Sequence, residues 1–250
     1  MIRACAVIPY FEHPRTLARV VEALRRHGLT CWIVDDGSGP AAHAAARAIA
    51  AQDPDSVRLL THASNRGKGA AVLSGCRSAA AAGYSHALQI DADGQHDCDD
   101  VPELLAQATR QPQALILGMP RFDASVPRSR LYGRYLTHLW VWINTLSLDI
   151  EDSMCGFRVY PLTPLLALAA TERLGERMEF DTEIVVRLHW RGIPVIGIPT
   201  RVVYPLDGVS HFELWRDNLL ITRMHARLFF GMLWRFPRLI GRRVTETRRA

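Results

Sequence analysis

The sequence predicts an α/β fold: a mainly parallel sheet with helices on its faces. Three observations carry the prediction. Short apolar runs alternate with helix-period segments through the first half of the chain, in the order β-α-β-α-β-α-β. Each apolar run stops at a polar loop, where an α/β sheet gathers its ligand-facing residues. A chain of 250 residues, 48% of them hydrophobic, is long enough to bury a sizeable core.

The first strand is predicted over Arg3 to Pro9, followed by a loop through Tyr10, Phe11, Glu12 and His13. Pro14 suits the first turn of a helix. Leu17, Val20, Val21 and Leu24 then repeat at helical spacing, and Gly28 ends the helix. Thr30 to Val34 is the second strand, Ala41 to Gln52 a helix, and Val57 to Thr61 the third strand. Ala70 to Ala82 reads as a helix and His86 to Ile90 as the fourth strand.

The polar residues at the strand ends are the candidates for chemistry. The stretch Ala87 to Asp97 ends its apolar run at Asp91 and Asp93, one residue apart around Ala92. Gly94 then permits a turn, and Gln95 and His96 add polar heads. Paired carboxylates repel unless a cation sits between them. Hard oxygen donors suit Mg²⁺ or Mn²⁺, which take their remaining ligands from water and phosphate. A solvated Asp-Gly turn is the plainer alternative. Asp35 and Asp36 close the second strand and can accept hydrogen bonds from a base or ribose, or cap a turn. Arg66 and Lys68 lie among glycines that allow close backbone approach to an anion. Lys68, the only lysine in the chain, stands beside a helix start, which favours anions. Neither GxGxxG nor GxxxxGK[ST] is present, so neither a dinucleotide fingerprint nor a P-loop is expected.

In this order, between Val7 and His96, the motifs VIPYFE, VDDGSG, NRGKGAA and QIDADGQH resemble the family 2 glycosyltransferases of the GT-A fold, most nearly the dolichyl- and polyprenyl-phosphate sugar synthases. The resemblance implies a nucleotide-diphosphate sugar donor, a divalent metal and inversion at the anomeric carbon. Pro9, Tyr10 and Glu12 would line the nucleotide site, Asp35 and Asp36 would hold base and ribose, and Arg66 and Lys68 would flank the nucleotide. Asp91, Asp93 and Gln95 would face metal and diphosphate.

The second half carries the acceptor side. A helix begins near Asp99–Glu103, with acidic residues at its positive end, and Ala114 to Gly118 is a strand. Met119 to Arg130 reads as a long loop, uncommon unless functional. Its Arg121, Arg128 and Arg130 can bind an anionic acceptor or the leaving diphosphate, or simply stay solvated. Leu131 to Leu148 is a helix. Asp149 to Arg158 resembles the D…GFR block of the same family. Asp152 is the expected catalytic carboxylate: a base if the acceptor is a hydroxyl, a positioning group if the acceptor is an already ionised phosphate; a helix-end cap is the plainer alternative. Arg158 and His211 are further candidates for the diphosphate or acceptor. Arg177 to Gly192 reads as a helix whose Glu179, Asp181 and Glu183 are equally caps or ligands. Ile193 to Tyr204 is strand-like, with Pro194 and Pro199 breaking it into edge pieces.

Charge separates the last segment from the rest. The net charge is +5, yet Phe212 to Ala250 holds nine arginines against three acidic residues. The remainder is near neutral, which argues against nucleic acid and for an anionic surface at the C-terminus. Aromatic and apolar residues between Leu228 and Ile240 beside arginine suit an interfacial helix, with a buried or dimer-forming helix as the rival. Five scattered cysteines without a CxxC pair point to free thiols. Nothing at Met1-Ile2-Arg3 reads as a signal peptide, and no apolar run is long enough to span a bilayer. The expected organisation is a glycosyltransferase domain over 1–211, with a nucleotide and metal half (1–118) and an acceptor half (119–211), followed by a basic amphipathic tail (212–250). The expected location is cytoplasmic, at the inner membrane face. The acceptor is expected to be lipid-linked or amphiphilic. A nucleotidyltransferase on a related sheet and a non-catalytic sugar-nucleotide-binding or scaffold protein remain alternatives.

Overall fold

The computed structural model describes residues 2–121, 128–202 and 213–247, without the side chains of 128–132, 214 and 243–247. Strands β1 (Ala4–Tyr10), β2 (Cys31–Asp35), β3 (Val57–Thr61) and β4 (His86–Gln89) alternate with helices α1 (Pro14–Arg26), α2 (Pro40–Gln52) and α3 (Lys68–Ala81). These four strands are parallel, as the alternation predicts. The chain continues through α4 (Val101–Arg110), β5 (Leu115–Arg121), α5 (Arg128–Thr145), β6 (Arg158–Pro161), α6 (Leu162–Thr171), α7 (Phe180–Trp190), β7 (Val195–Arg201) and α8 (Leu214–Thr247).

The sheet has seven strands in the order β3-β2-β1-β4-β6-β5-β7. β6 alone runs against its neighbours, pairing antiparallel with both β4 and β5. That reversal matters for the site. In a parallel neighbour the N-terminal end would lie at the far edge of the sheet. In β6 it lies beside the C-terminal end of β4, with Arg158 opposite Gln89. The segment from Asp149 to Phe157 is thereby delivered to the edge where β1, β2 and β4 finish.

Two apolar clusters fill the two faces. One holds Ile8, Leu17, Ile33, Leu88, Leu104 and Phe157; the other holds Val7, Val34, Ala71, Tyr160, Phe180 and Leu228. The alternation of Val7 and Ile8 between clusters is the two-residue period of a strand buried on both sides.

Several boundaries differ from the sequence expectations. Of the loop expected over Met119 to Arg130, β5 takes the residues to Arg121 and α5 those from Arg128; residues 122–127 lie outside the described residues. Pairing explains the first: β5 is matched residue for residue with β7 through Arg121 and Arg201. β7 is one strand, not pieces. β7 is the last strand of the sheet, and an edge strand tolerates Pro199. The four-residue β6 was absent from the sequence reading. The last segment is a single 34-residue helix that carries Pro237 inside it. It buries Met224, Leu228, Met232 and Leu239, and Met224 and Leu228 join the core cluster of the sheet.

Candidate active site

The C-terminal edge of the sheet is built from the strand-end loops upward. After β1, Glu12 adopts a left-handed backbone (φ 56°), unusual for a non-glycine residue. Its backbone N–H donates to Ser38 Oγ at 3.2 Å and its Oε1 accepts the Gly39 N–H at 2.5 Å, clamping the start of α2. Tyr10 is buried and its hydroxyl donates to the Ala42 carbonyl at 2.8 Å. Pro9 precedes it in β1, half-buried.

Asp35 and Asp36 are both buried. Asp35 accepts the Ser38 N–H at 3.0 Å and pairs with His43 Nδ1 at 2.6 Å. Asp36 pairs with His62 Nδ1 at 2.6 Å and accepts the backbone N–H groups of Arg66 (3.0 Å) and Gly67 (2.7 Å). Asp36 therefore shapes the loop that ends at Lys68. Gly67 fits it by a positive φ of 107°. The Arg66 side chain is half exposed and lies 3.8 Å from Glu176.

Lys68 opens α3 and reaches into the centre of the site. Its Nζ is 2.8 Å from Asp91 and 2.7 Å from Asp181 Oδ2. Burial alone would lower the Lys68 pKa; the Asp181 and Asp91 carboxylates outweigh it and hold the ammonium charged. Asp181, at the start of α7, also accepts from Gln89 Nε2 at 3.2 Å and faces Arg158 at 3.7 Å. Burial works to raise its pKa, but Lys68 and Arg158 bring it below the ordinary value. Tyr160 donates to Gln89 Oε1 at 2.9 Å and completes the network. Two carboxylates face two cations, so the cluster is balanced in charge, as burial requires.

Gly156 lies directly against this cluster. A Cβ there would stand 2.6 Å from Lys68 Nζ and 2.7 Å from Asp91 Oδ2. The close approach explains a glycine beside Phe157 and Arg158. Arg158 itself has no accessible surface. It donates to the carbonyls of Cys155 (2.9 Å) and Asp181 (2.8 Å). It braces Asp181 from behind and, so enclosed, has no surface to offer a diphosphate or acceptor.

Asp93 and Gln95 lie in the turn after β4. Asp93 Oδ1 accepts the Gln95 N–H at 3.0 Å. Burial, and then the Asp91 carboxylate, push the Asp93 pKa above the usual carboxylate range. Two buried atoms nearby have no hydrogen-bond partner: Asp91 Oδ1, close to Lys68 but outside bonding geometry, and His96 Nδ1. The Asp91–Asp93 carboxylate pair, whose mutual repulsion helps push Asp93 up, fits a hard divalent cation. Among the described residues no cluster of three or more His, Cys, Asp or Glu side chains forms a metal cage.

Asp152 is buried in the segment that leads into β6, and all its lone pairs face donors. Oδ1 accepts the N–H groups of Met154 (2.8 Å) and Cys155 (3.0 Å). Oδ2 accepts Arg134 Nε at 2.7 Å and pairs with its Nη2. Arg121 is exposed at the end of β5, on the same sheet edge but two strands beyond β4. Arg128 and Arg130 fall in the first turn of α5 with side chains outside the described set, and His211 lies outside the described residues.

Arg134 is the residue that sequence reasoning did not name. Asp181 was named with Glu179 and Glu183 as a cap or a ligand, and Gly156 only as part of the D…GFR block, with no role of its own. Arg134 carried no signal, since a mid-helix arginine is ordinarily solvated.

Comparison with known proteins bears on the family and the fold. The family model "Glycosyl transferase family 2" matches residues 5–164. An undecaprenyl-phosphate mannosyltransferase of Micrococcus luteus is 28% identical over 210 residues, 81% of this chain and 84% of that protein. A dolichyl-phosphate beta-glucosyltransferase of Mus musculus is 30% identical over 232 residues, 84% of this chain and 69% of that protein. Among solved structures, glucosyl-3-phosphoglycerate synthase from Mycobacterium tuberculosis, in complex with Mn²⁺ and UDP-glucose, superposes with a TM-score of 0.67. That match covers 92% of this chain and 79% of that one at 14% identity, a likeness of fold. No helix of the described residues is long and apolar enough to cross a membrane.

Proposed function

We propose a reaction from one premise: the chain belongs to glycosyl transferase family 2. The reaction is transfer of a sugar, with inversion, from a nucleotide-diphosphate sugar to a lipid-linked phosphate. The observation that carries it is the Asp91–Lys68–Asp181 cluster beneath the Asp91-x-Asp93 turn.

The donor's nucleotide would lie along the ends of β1 and β2. Pro9, the Glu12 turn and the Asp35–Asp36 loop frame that groove, and Arg66 flanks it. Asp35 and Asp36 are already bonded within the protein, so they shape the loop more than they supply free acceptors. Asp91 and Asp93, with Gln95, would hold a divalent cation, which supplies positive charge to a departing diphosphate when bound. Lys68 fixes Asp91 and adds a fixed cation at the same place. An acceptor oxygen attacks the anomeric carbon. The bond from that carbon to the diphosphate oxygen breaks, and its electron pair leaves on the diphosphate.

The state of Asp152 bears on the acceptor. A general base needs a lone pair free to take a proton. Asp152 spends its lone pairs on Arg134 and two backbone N–H groups. That favours positioning over proton abstraction, and an acceptor that arrives ionised, such as a polyprenyl or dolichyl phosphate. Arg134, so held, brings a cation to the acceptor wall.

The last helix supports a membrane-facing orientation. Phe230, Leu233, Trp234, Pro237 and Ile240 follow helical spacing on its exposed side, and Trp234 is 86% exposed. Tyr135, Leu136 and Leu139 of α5 are exposed as well. Trp140 and Phe229 meet edge to face at 6.3 Å, joining the two helices. An apolar stripe beside arginines suits peripheral attachment to anionic lipid. The direct test is a panel of nucleotide sugars with polyprenyl phosphate, with Mn²⁺, Mg²⁺ or chelator. One donor consumed only with metal supports the reading; no donor bound under any condition overturns it.

A further inference from the structure

At the far end of α7 from Asp181, about 15 Å along an eleven-residue helix, a second polar pocket opens between α7 and α8. Its cavity is about 490 Å³, and it is lined by Glu172, Trp190, Leu239 and five arginines: Arg187, Arg191, Arg235, Arg238 and Arg242. The volume lies within the range of small-molecule sites.

The arginines are not fully paired. Glu172, the one carboxylate in the lining, is shared: it is bonded by Arg187 and by Arg191 (3.0 Å), and lies 3.9 Å from Arg235. Glu183, buried below, takes a second contact from Arg187 at 2.7 Å and one from Arg227 at 3.1 Å. Arg242 donates to the His189 carbonyl at 2.8 Å, capping the negative end of α7. Arg235 stacks over the Trp190 ring at 4.7 Å, which fixes its plane. Arg238 is exposed and makes no ion pair among the described residues. Cations thus outnumber carboxylates at the wall, and the excess sits on Arg235 and Arg238, one turn apart on α8. Guanidinium groups so placed match the geometry of phosphate oxygens, and the mutual repulsion of the cluster falls when an anion enters.

We propose that this pocket is a second anion site, separate from the sugar-transfer site, that binds a phosphate group. Its occupant is either free phosphate or the phosphate of an anionic lipid head. The exposed side of α8, with Trp234 and Ile240, flanks the pocket and would rest at the same surface in the lipid case.

The test uses the full chain and the double variant Arg235→Gln/Arg238→Gln. One arm titrates inorganic phosphate by calorimetry. The other measures sedimentation with phosphatidylcholine vesicles, with and without phosphatidylglycerol. The exposed pair Arg216→Gln/Arg223→Gln, on α8 outside the pocket, controls for loss of charge alone. The expected result is about tenfold weaker binding in the pocket variant, in one arm or both, with the control near wild type. Loss in the phosphate arm identifies a free anion, and loss only with phosphatidylglycerol identifies a lipid head. Arg238→Glu alone, at an exposed position, repeats the comparison if the double variant is poorly folded. No binding in either arm, or equal loss in pocket and control variants, overturns the proposal.

Discussion

Lys68 Nζ stands 2.7 Å from Asp181, joining the first turn of α3 to the first turn of α7 across 113 positions of sequence. The same ammonium lies 2.8 Å from Asp91. One cation therefore links the strand-end turn of the N-terminal half to a helix of the C-terminal half. Replacing it with Met leaves the partly buried Asp91 without its cation and the buried Asp181 with Arg158 alone, at 3.7 Å. Lys68→Met is expected to destabilise the fold by about 3–5 kcal/mol, measured by denaturant unfolding. Lys68→Met/Asp181→Asn should recover part of that loss, because the second change removes one orphaned charge. Additive losses would show that the pair is not coupled.

Gly156→Ala tests the site more gently. The added Cβ meets the far end of a flexible side chain at 2.6 Å, so Lys68 can shift while the fold survives. The shift disturbs Asp91. The expected outcome is an unfolding midpoint near wild type with at least about tenfold less sugar transfer, equivalent to about 1.4 kcal/mol in the barrier. Unchanged turnover would show that the Asp91–Lys68 geometry is not needed.

Asp152→Asn separates base from positioning roles. A base predicts loss of the acidic limb of the pH–rate profile. Positioning through Arg134 predicts an unchanged profile and a defect in apparent acceptor affinity, matched by Arg134→Gln.

Much of the donor half was legible because it is local. Strand runs, their glycine-bearing ends and the order of four motifs all lie in contiguous sequence between Val7 and His96. The acceptor half was less so. β6 is four residues long, begins on a charged Arg158 and is buried on both faces, too short for a period to register. Its antiparallel direction is a property of the sheet, yet it decides that Asp152, Gly156 and Arg158 reach the site at all. Arg158 looked like an anion ligand because arginines are ordinarily exposed; the fold encloses it as a brace for Asp181. The C-terminal helix read as a tail because its sequence is basic and aromatic. Its buried face, with Met224 and Leu228 in the core, emerges only from packing on α5 and α7.

That packing changes how membrane attachment is tested. Removing α8 would strip the core, whereas Phe230→Glu/Trp234→Glu alters only exposed positions. The double variant should keep its unfolding midpoint and lose most binding to anionic vesicles. Retained binding would reject the interfacial role of this face.

Acid should weaken the fold through His225. Burial pushes its pKa down to about 4, so the folded chain holds it neutral. Burial acts the same way on His86 and His138. A depressed histidine pKa contributes stability that is present above the unfolded value of about 6.5 and drains away as pH falls toward about 4. For His225 alone the loss is on the order of 2–3 kcal/mol across that window. Unfolding free energy measured from about pH 7 to about pH 5 should fall, and fall less steeply in His225→Gln. Parallel slopes would remove His225 from the account.

The most direct measurement is sugar transfer to polyprenyl phosphate and to the matching polyprenol, for the wild type and Asp93→Asn, with Mn²⁺, Mg²⁺ or chelator. The account predicts metal-dependent transfer to the phosphate alone, lost in Asp93→Asn with the fold intact. Equal transfer to the alcohol, or full activity of Asp93→Asn under chelator, would contradict it.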